Sequence, residues 1–408
     1  MEFNTAKLDN GLEIVCEHHP TAASVAMGFF VRTGSRDETP AVAGVSHFLE
    51  HMIFKGTPTR TALEVNREFD TMGANYNAFT SQENTVYYAA VLTEFQTPTL
   101  ALLADILRPS LRQDDFDTEK QVICEEIAMY TDQPFFRLYD TLTTQHFAGH
   151  PLANSVLGTT KSIQNLTREQ MVDYFNHRYS PTNVTLAVTG NVDFKQLVAD
   201  AEQFCAHWNP YDAPREQAAP TPARSRDLIC DASVTRQNMG MLVNAPSYQH
   251  KDRFAAEVLA AIFGDSTGSR LYYALIETAL ADEAHCSYNP LDHAGMMLTF
   301  ASASPDNAAQ MREVILAEAK KLIDHGVTDA ELTAAKNKIA SAATIKGEVP
   351  TGRLTAIGFD WEYRREYEPL ATSVASTLAV TADDVLRVAA EIDLAHPTSL
   401  TLGPLESL

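Results

Sequence analysis

Gly28-Phe29-Phe30-Val31 returns 212 residues later as Gly240-Met241-Leu242-Val243. At the same offset, Val45 to Phe54 falls on a mostly apolar run from Glu257 to Ile262-Phe263-Gly264, and Val86-Tyr87-Tyr88-Ala89 falls on Leu298-Thr299-Phe300-Ala301. Near the ends, Leu166-Thr167-Arg168-Glu169 resembles Val380-Thr381-Ala382-Asp383 at an offset of 214. Few residues are identical, but the order is shared: each half reads strand, helix, strands, helices, strand. That order predicts an α+β fold made of two homologous domains, each an antiparallel-rich sheet with helices packed on it. Between the copies, Trp208-Asn209-Pro210-Tyr211-Asp212-Ala213-Pro214 through Thr221-Pro222 is rich in Pro and Ala and poor in large apolar residues. The expected division is 1–212, a linker at 213–225, and 226–408.

In the first half, the Asn10-Gly11 dipeptide reads as the turn of an opening hairpin, since both residues tolerate positive φ. A strand follows from Ser24 to Arg32. Helical spacing runs from Val42 to Lys55, and Gly56-Thr57-Pro58 supplies a stop. A helix at Ala62 to Met72 precedes paired strands between Asn75 and Leu92. Longer helical stretches cover Pro98 to Arg108 and Asp114 to Tyr130.

The chain has 408 residues, enough for two cores. Lys and Arg number 31 against 53 for Asp and Glu, a net charge of -22 that argues against nucleic acid and anionic membranes as partners. No apolar run approaches the ~18 residues of a membrane span, and Met1-Glu2-Phe3-Asn4-Thr5 does not read as a secretory signal. Five scattered cysteines without CxxC spacing form neither a disulfide framework nor a thiolate metal site. A cytoplasmic setting is the expectation.

His47-Phe48-Leu49-Glu50-His51 is the sharpest local feature. Positions 47, 50 and 51 share one helical face, so two imidazoles one turn apart can reach one Zn²⁺ while the carboxylate reaches a metal-bound water. The order HxxEH inverts that of HExxH. A third protein ligand is needed, and the helix from Asp114 to Tyr130 offers Glu119, Glu125 and Glu126. Glu119 and Glu126 are seven residues apart and share a face, so Glu126 is assigned as ligand and Glu119 as the carboxylate that tunes the site. Glu125 is the competing register. In the second copy, Leu259, Ile262 and Phe263 stand opposite His47, Glu50 and His51. Aligning Lys120 and Ile123 with Lys336 and Ile339, at an offset of 216, sets Ala342 opposite Glu126. Polar residues lost together from one copy favour chemistry in the other.

These motifs resemble the inverzincin zinc metallopeptidases that include pitrilysin, insulysin and the mitochondrial processing peptidase. The resemblance runs through Gly44 to Met52, Phe54-Lys55-Gly56-Thr57, Gly73-Ala74-Asn75-Tyr76-Asn77-Ala78-Phe79-Thr80-Ser81, the Glu119-to-Glu126 helix, and His177-Arg178-Tyr179 with the strand Val184 to Gly190. It implies one zinc per chain, held by His47, His51 and Glu126, with Glu50 as general base toward zinc-bound water. It implies an extended or unfolded peptide substrate added as a strand along Asn77, Ala78, Phe79 and Thr80. It also implies pairing, as a homodimer or with a related chain, around a proteolytic chamber. One departure stands out. Relatives carry an Arg and, seven residues on, a Tyr in the second domain, where this chain has Ile276 and Glu283. Their loss implies reduced activity, a partner chain that supplies them, or replacement by substitutes such as Arg270, Arg353 or Tyr288; the rival expectation is a noncatalytic or partner-dependent subunit. Gly264-Asp265-Ser266-Thr267-Gly268 is too short to be the glycine-rich loop of the noncatalytic processing-peptidase subunit.

Overall fold

The computed structural model describes residues 1–215 and 217–408; Glu216, within the expected 213–225 linker, lies outside the described residues. The chain forms two compact units, each containing one sheet. In the first unit, β1 (Glu2–Lys7), β2 (Glu13–His18), β3 (Ser24–Val31), β4 (Asn75–Thr80), β5 (Thr85–Leu92) and β6 (Val184–Gly190) order as β1-β2-β6-β3-β5-β4. In the second, β7 (Arg226–Cys230), β8 (Gln237–Asn244), β9 (Glu283–Leu291), β10 (Ala294–Ala303) and β11 (Thr398–Gly403) order as β7-β11-β8-β10-β9.

Apart from β1 the two orders are the same, with one parallel pair in each: β2 with β6, and β7 with β11. The duplication holds at the level of single residues. Gly28 faces Tyr88 across β3 and β5, and Gly240 faces Phe300 across β8 and β10, both displaced by 212. Lys120 Nζ reaches the Leu166 carbonyl at 2.7 Å, and Lys336 Nζ reaches the Val380 carbonyl at 2.8 Å. Thr167 and Thr381 both begin helices with capping boxes, to Gln170 and Asp384.

The compact units cross the midpoint of the sequence. The first comprises Met1–Ala128, Asn154–Glu216 and Ile345–Glu368; the second comprises Met129–Ala153, Gln217–Thr344 and Pro369–Leu408. Helix Pro350–Arg364 therefore belongs to the first unit and helix Pro134–His146 to the second. These helices, each drawn from the other half of the sequence, explain why the central strands are buried on both faces. Along β3, Val25, Met27, Phe29 and Val31 enter one core cluster, while Ala26 and Phe30 enter another with Leu354 and Ile357. A Cβ at Gly358 would lie 2.2 Å from Phe30 Cζ, well inside contact distance, so glycine sets that close approach.

Two local expectations change. The opening hairpin forms, but Lys7 pairs with Glu13 around a five-residue loop with only Gly11 at positive φ (96°). Asn10 instead accepts from Leu12 N and donates to the Cys205 carbonyl, so its side chain decides the turn. The stretch from Trp208 is also less free than its composition implies. Trp208 is buried beneath the Arg108 guanidinium, and Arg215 is buried in an ion pair with Asp37 at 2.7 Å. Among the described residues, no helix is long and apolar enough to cross a membrane.

Helix Pro350–Arg364 is fixed to its sheet by a buried ion pair, Arg353 Nη2 to Glu17 Oε2 at 2.6 Å, which Tyr367 joins at 2.8 Å. Removing one partner leaves the other charge without compensation. Glu17→Gln should therefore lower unfolding stability by about 3–5 kcal/mol in urea titrations; a loss below about 1 kcal/mol, typical of exposed pairs, would contradict this role.

Candidate metal centre

The histidine motif occupies helix α1 (Val45–Ile53), two residues shorter at its C-terminus and three at its N-terminus than the spacing predicts. Its start is set by Gly44 (φ 90°) and by Glu38, whose two carboxylate oxygens accept from Gly44 N at 2.6 Å and Ser46 N at 2.8 Å. These are N–H groups that a helix leaves unpaired at its first turn, and a carboxylate there also suits the helix dipole. Val45, Phe48, Leu49, Met52 and Ile53 are buried, which leaves His47, Glu50 and His51 as the polar side of the helix.

Helix Gln113–Thr131 meets α1 through Phe116, whose ring stacks on Phe48 at 4.8 Å between centroids. Phe116 and Ile123 are buried seven residues apart, and Glu119 and Glu126 repeat that spacing beside them. The result is a convergence. His47, His51 and Glu126 each offer a ligand atom within 4.8 Å of the others. Glu126 Oε2 lies 3.5 Å from His51 Nε2, and Oε1 lies 3.8 Å from His47 Nε2. Glu125 is exposed and outside this group. Two imidazoles and one carboxylate are a donor set suited to zinc.

Glu119 stands behind His51, with Oε1 at 2.9 Å from Nδ1 and Oε2 at 2.5 Å from Lys55 Nζ. A carboxylate only accepts, so a proton sits on His51 Nδ1, and in the neutral ring the Nε2 lone pair faces Glu126. Among the described residues, His47 Nδ1 is buried with no such partner. Glu50 accepts a 2.6 Å hydrogen bond from Thr80 Oγ1.

The electrostatics divide the two imidazoles. Burial, then the neighbouring His51 charge, pushes His47 down to about 3. Burial opposes charge on His51 too, but the Glu119 hydrogen bond and the charges of Glu126, Glu119 and Glu50 outweigh it and raise its pKa. Glu119 is lowered, because His51 and Lys55 overcome its burial. Burial raises Glu50, against the Thr80 bond and the His51 charge, with Glu126 adding to the rise. Burial also raises Glu126, with Glu119 adding and His51 opposing.

Of the segment Asn77 to Thr80, Ala78 packs toward the α1 side, whereas Phe79 joins Phe30 and Phe359 on the opposite face. β4 lies at the edge of its sheet beside β5, and Asn77 Oδ1 accepts from Ala78 N at 2.9 Å. The candidate substitutes for the missing Arg and Tyr are each engaged elsewhere. Arg270 pairs with Glu331 at 2.7 Å, Arg353 with Glu17, and Tyr288 donates to the Pro246 carbonyl at 2.6 Å. The sequence reading did not foresee Lys55 on Glu119, Glu38 on the helix start, or Thr80 on Glu50. Lys55 had a signal, being four residues beyond His51; Glu38 and Thr80 come from separate segments and had none.

Residues 13–160 match the family model described as insulinase, peptidase family M16, and residues 165–339 match the M16 inactive domain. An uncharacterized zinc protease of Rickettsia bellii is 30% identical over 98% of both chains. One from Mycobacterium leprae is 31% identical over 98% of this chain and 91% of its own. A protease structure from Helicobacter pylori superposes with a TM-score of 0.91 at 24% identity, covering 98% of this chain and 99% of that one.

In the metal-free protein, ring-nitrogen NMR should show His51 titrating above an ordinary histidine and His47 staying neutral down to about pH 3. The reverse order would overturn this electrostatic assignment.

Proposed function

The chain belongs to the M16 insulinase family of peptidases, and from that premise we propose that it is a zinc-dependent peptidase acting on extended or unfolded peptides. The observation carrying the reading is the convergence of His47, His51 and Glu126 beside Glu50. His47, His51 and Glu126 would hold one zinc per chain, with Glu119 fixing the His51 tautomer. When bound, zinc would polarise a scissile carbonyl and acidify a neighbouring water.

Glu50 takes the proton as the water oxygen bonds to the carbonyl carbon. It then delivers that proton to the leaving nitrogen as the C–N bond breaks. The β4 edge from Asn77 to Thr80 would take the substrate as an added strand, with backbone hydrogen bonds giving affinity and little sequence selection. In this reading 1–212 is the catalytic domain, 213–225 the linker and 226–408 the degenerate copy. The chain would pair with itself or a relative around a chamber, in the cytoplasm, where its five free cysteines stay reduced.

A noncatalytic or partner-dependent role is the second reading, favoured by Ile276 and Glu283 and by the engagement of Arg270, Arg353 and Tyr288. Metal analysis should find one zinc per chain. Glu50→Gln should lower peptide hydrolysis roughly 10²–10⁴-fold while retaining zinc. A zinc-loaded wild type inactive with and without candidate partners would favour the second reading. Glu126→Gln should weaken zinc binding by roughly 10–100-fold or more and Glu125→Gln hardly at all; equal losses would contradict Glu126 as ligand.

A further inference from the structure

We propose that Thr80 is a positioning residue for Glu50, linking the edge strand that would carry substrate to the group that would move the proton; this rests on the peptidase reading. Thr80 Oγ1 donates to Glu50 Oε2 at 2.6 Å, a short hydrogen bond to a carboxylate oxygen. Among the described residues, Thr80 is the group that hydrogen-bonds this carboxylate. One oxygen is thereby tied down and Oε1 is left for the water.

The Thr80 hydroxyl is itself held in place. Thr80 ends β4, in register with Thr85. The turn beyond it is closed by Ser81 N to the Asn84 carbonyl at 2.8 Å, and by Ser81 Oγ, which accepts from Asn84 N at 3.0 Å and Glu83 N at 3.2 Å. Glu83 is buried against Arg36 at 2.5 Å and accepts from Tyr363 Oη at 3.0 Å, while Arg36 N donates to the Gln82 carbonyl at 2.8 Å. Buried charge thus fixes the turn, the turn fixes Thr80, and Thr80 fixes Glu50. A side chain can hold a reacting group to within tenths of an ångström only when its own rotamer is locked in this way. A peptide adding to β4 would stiffen the same backbone, so docking and base placement share one element.

The test compares Thr80→Val, isosteric but without the hydroxyl, with Thr80→Ser, which keeps it. Peptide hydrolysis should show kcat reduced roughly 10–100-fold in Thr80→Val, with KM within about twofold and zinc content unchanged, and most of the loss restored in Thr80→Ser. Thr80→Val should add no further loss in a Glu50→Gln background. In the metal-free protein, the Glu50 carboxyl ¹³C resonance should move in Thr80→Val and stay near its wild-type position in Thr80→Ser. An inactive Glu50→Gln beside a Thr80→Val variant of wild-type kcat would overturn the inference and leave the peptidase reading standing. Loss of zinc in Thr80→Val would overturn it by making Thr80 structural. A fully active Glu50→Gln would overturn the base assignment and the inference with it.

Discussion

Two imidazoles and a carboxylate converge in one partly buried space; Glu119 serves His51, and among the described residues nothing comparable serves His47 Nδ1. Burial holds His47 uncharged to about pH 3, so the cluster cannot relieve itself by protonating that ring. The neighbouring carboxylate of Glu119 is already spent on His51 and Lys55. Buried polar groups left without partners are costly, and a divalent cation is the simplest species that would satisfy three such donors together. The packing of Phe48 on Phe116 enforces this convergence, and Glu38 sets where the helix carrying it begins.

The second copy of the fold shows the same scaffold relieved of that constraint. At the offset of 212, Leu259, Ile262 and Phe263 stand opposite His47, Glu50 and His51, and all three are buried as ordinary core. Its sheet keeps the strand order, the single parallel pair and the Gly240–Phe300 register of the first. The polar cluster is thus no requirement of the architecture.

Much of this was legible in the sequence because it is periodic or local. The spacing of His47, Glu50 and His51 needs only a helix, and Glu126 follows from a seven-residue repeat within another. The offset of 212 survives at residue resolution because a sheet register admits no partial slip. What escaped depends on segments far apart in the chain. The Thr80 hydroxyl reaches Glu50 across 30 positions, and the Arg353–Glu17 pair spans 336. Helix Pro350–Arg364 joins the first unit despite its late position, which no composition shift announces. Arg215, within the Pro-rich stretch read as a linker, is likewise held by the distant Asp37.

The most direct test of the central claim is zinc-edge X-ray absorption on the zinc-loaded protein, which reports the atoms bound to the metal. The account predicts two imidazole nitrogens with oxygen completing the shell, one imidazole contribution disappearing in His47→Ala and in His51→Ala. Sulfur in the shell, or a spectrum unchanged by both substitutions, would place the metal elsewhere and contradict it.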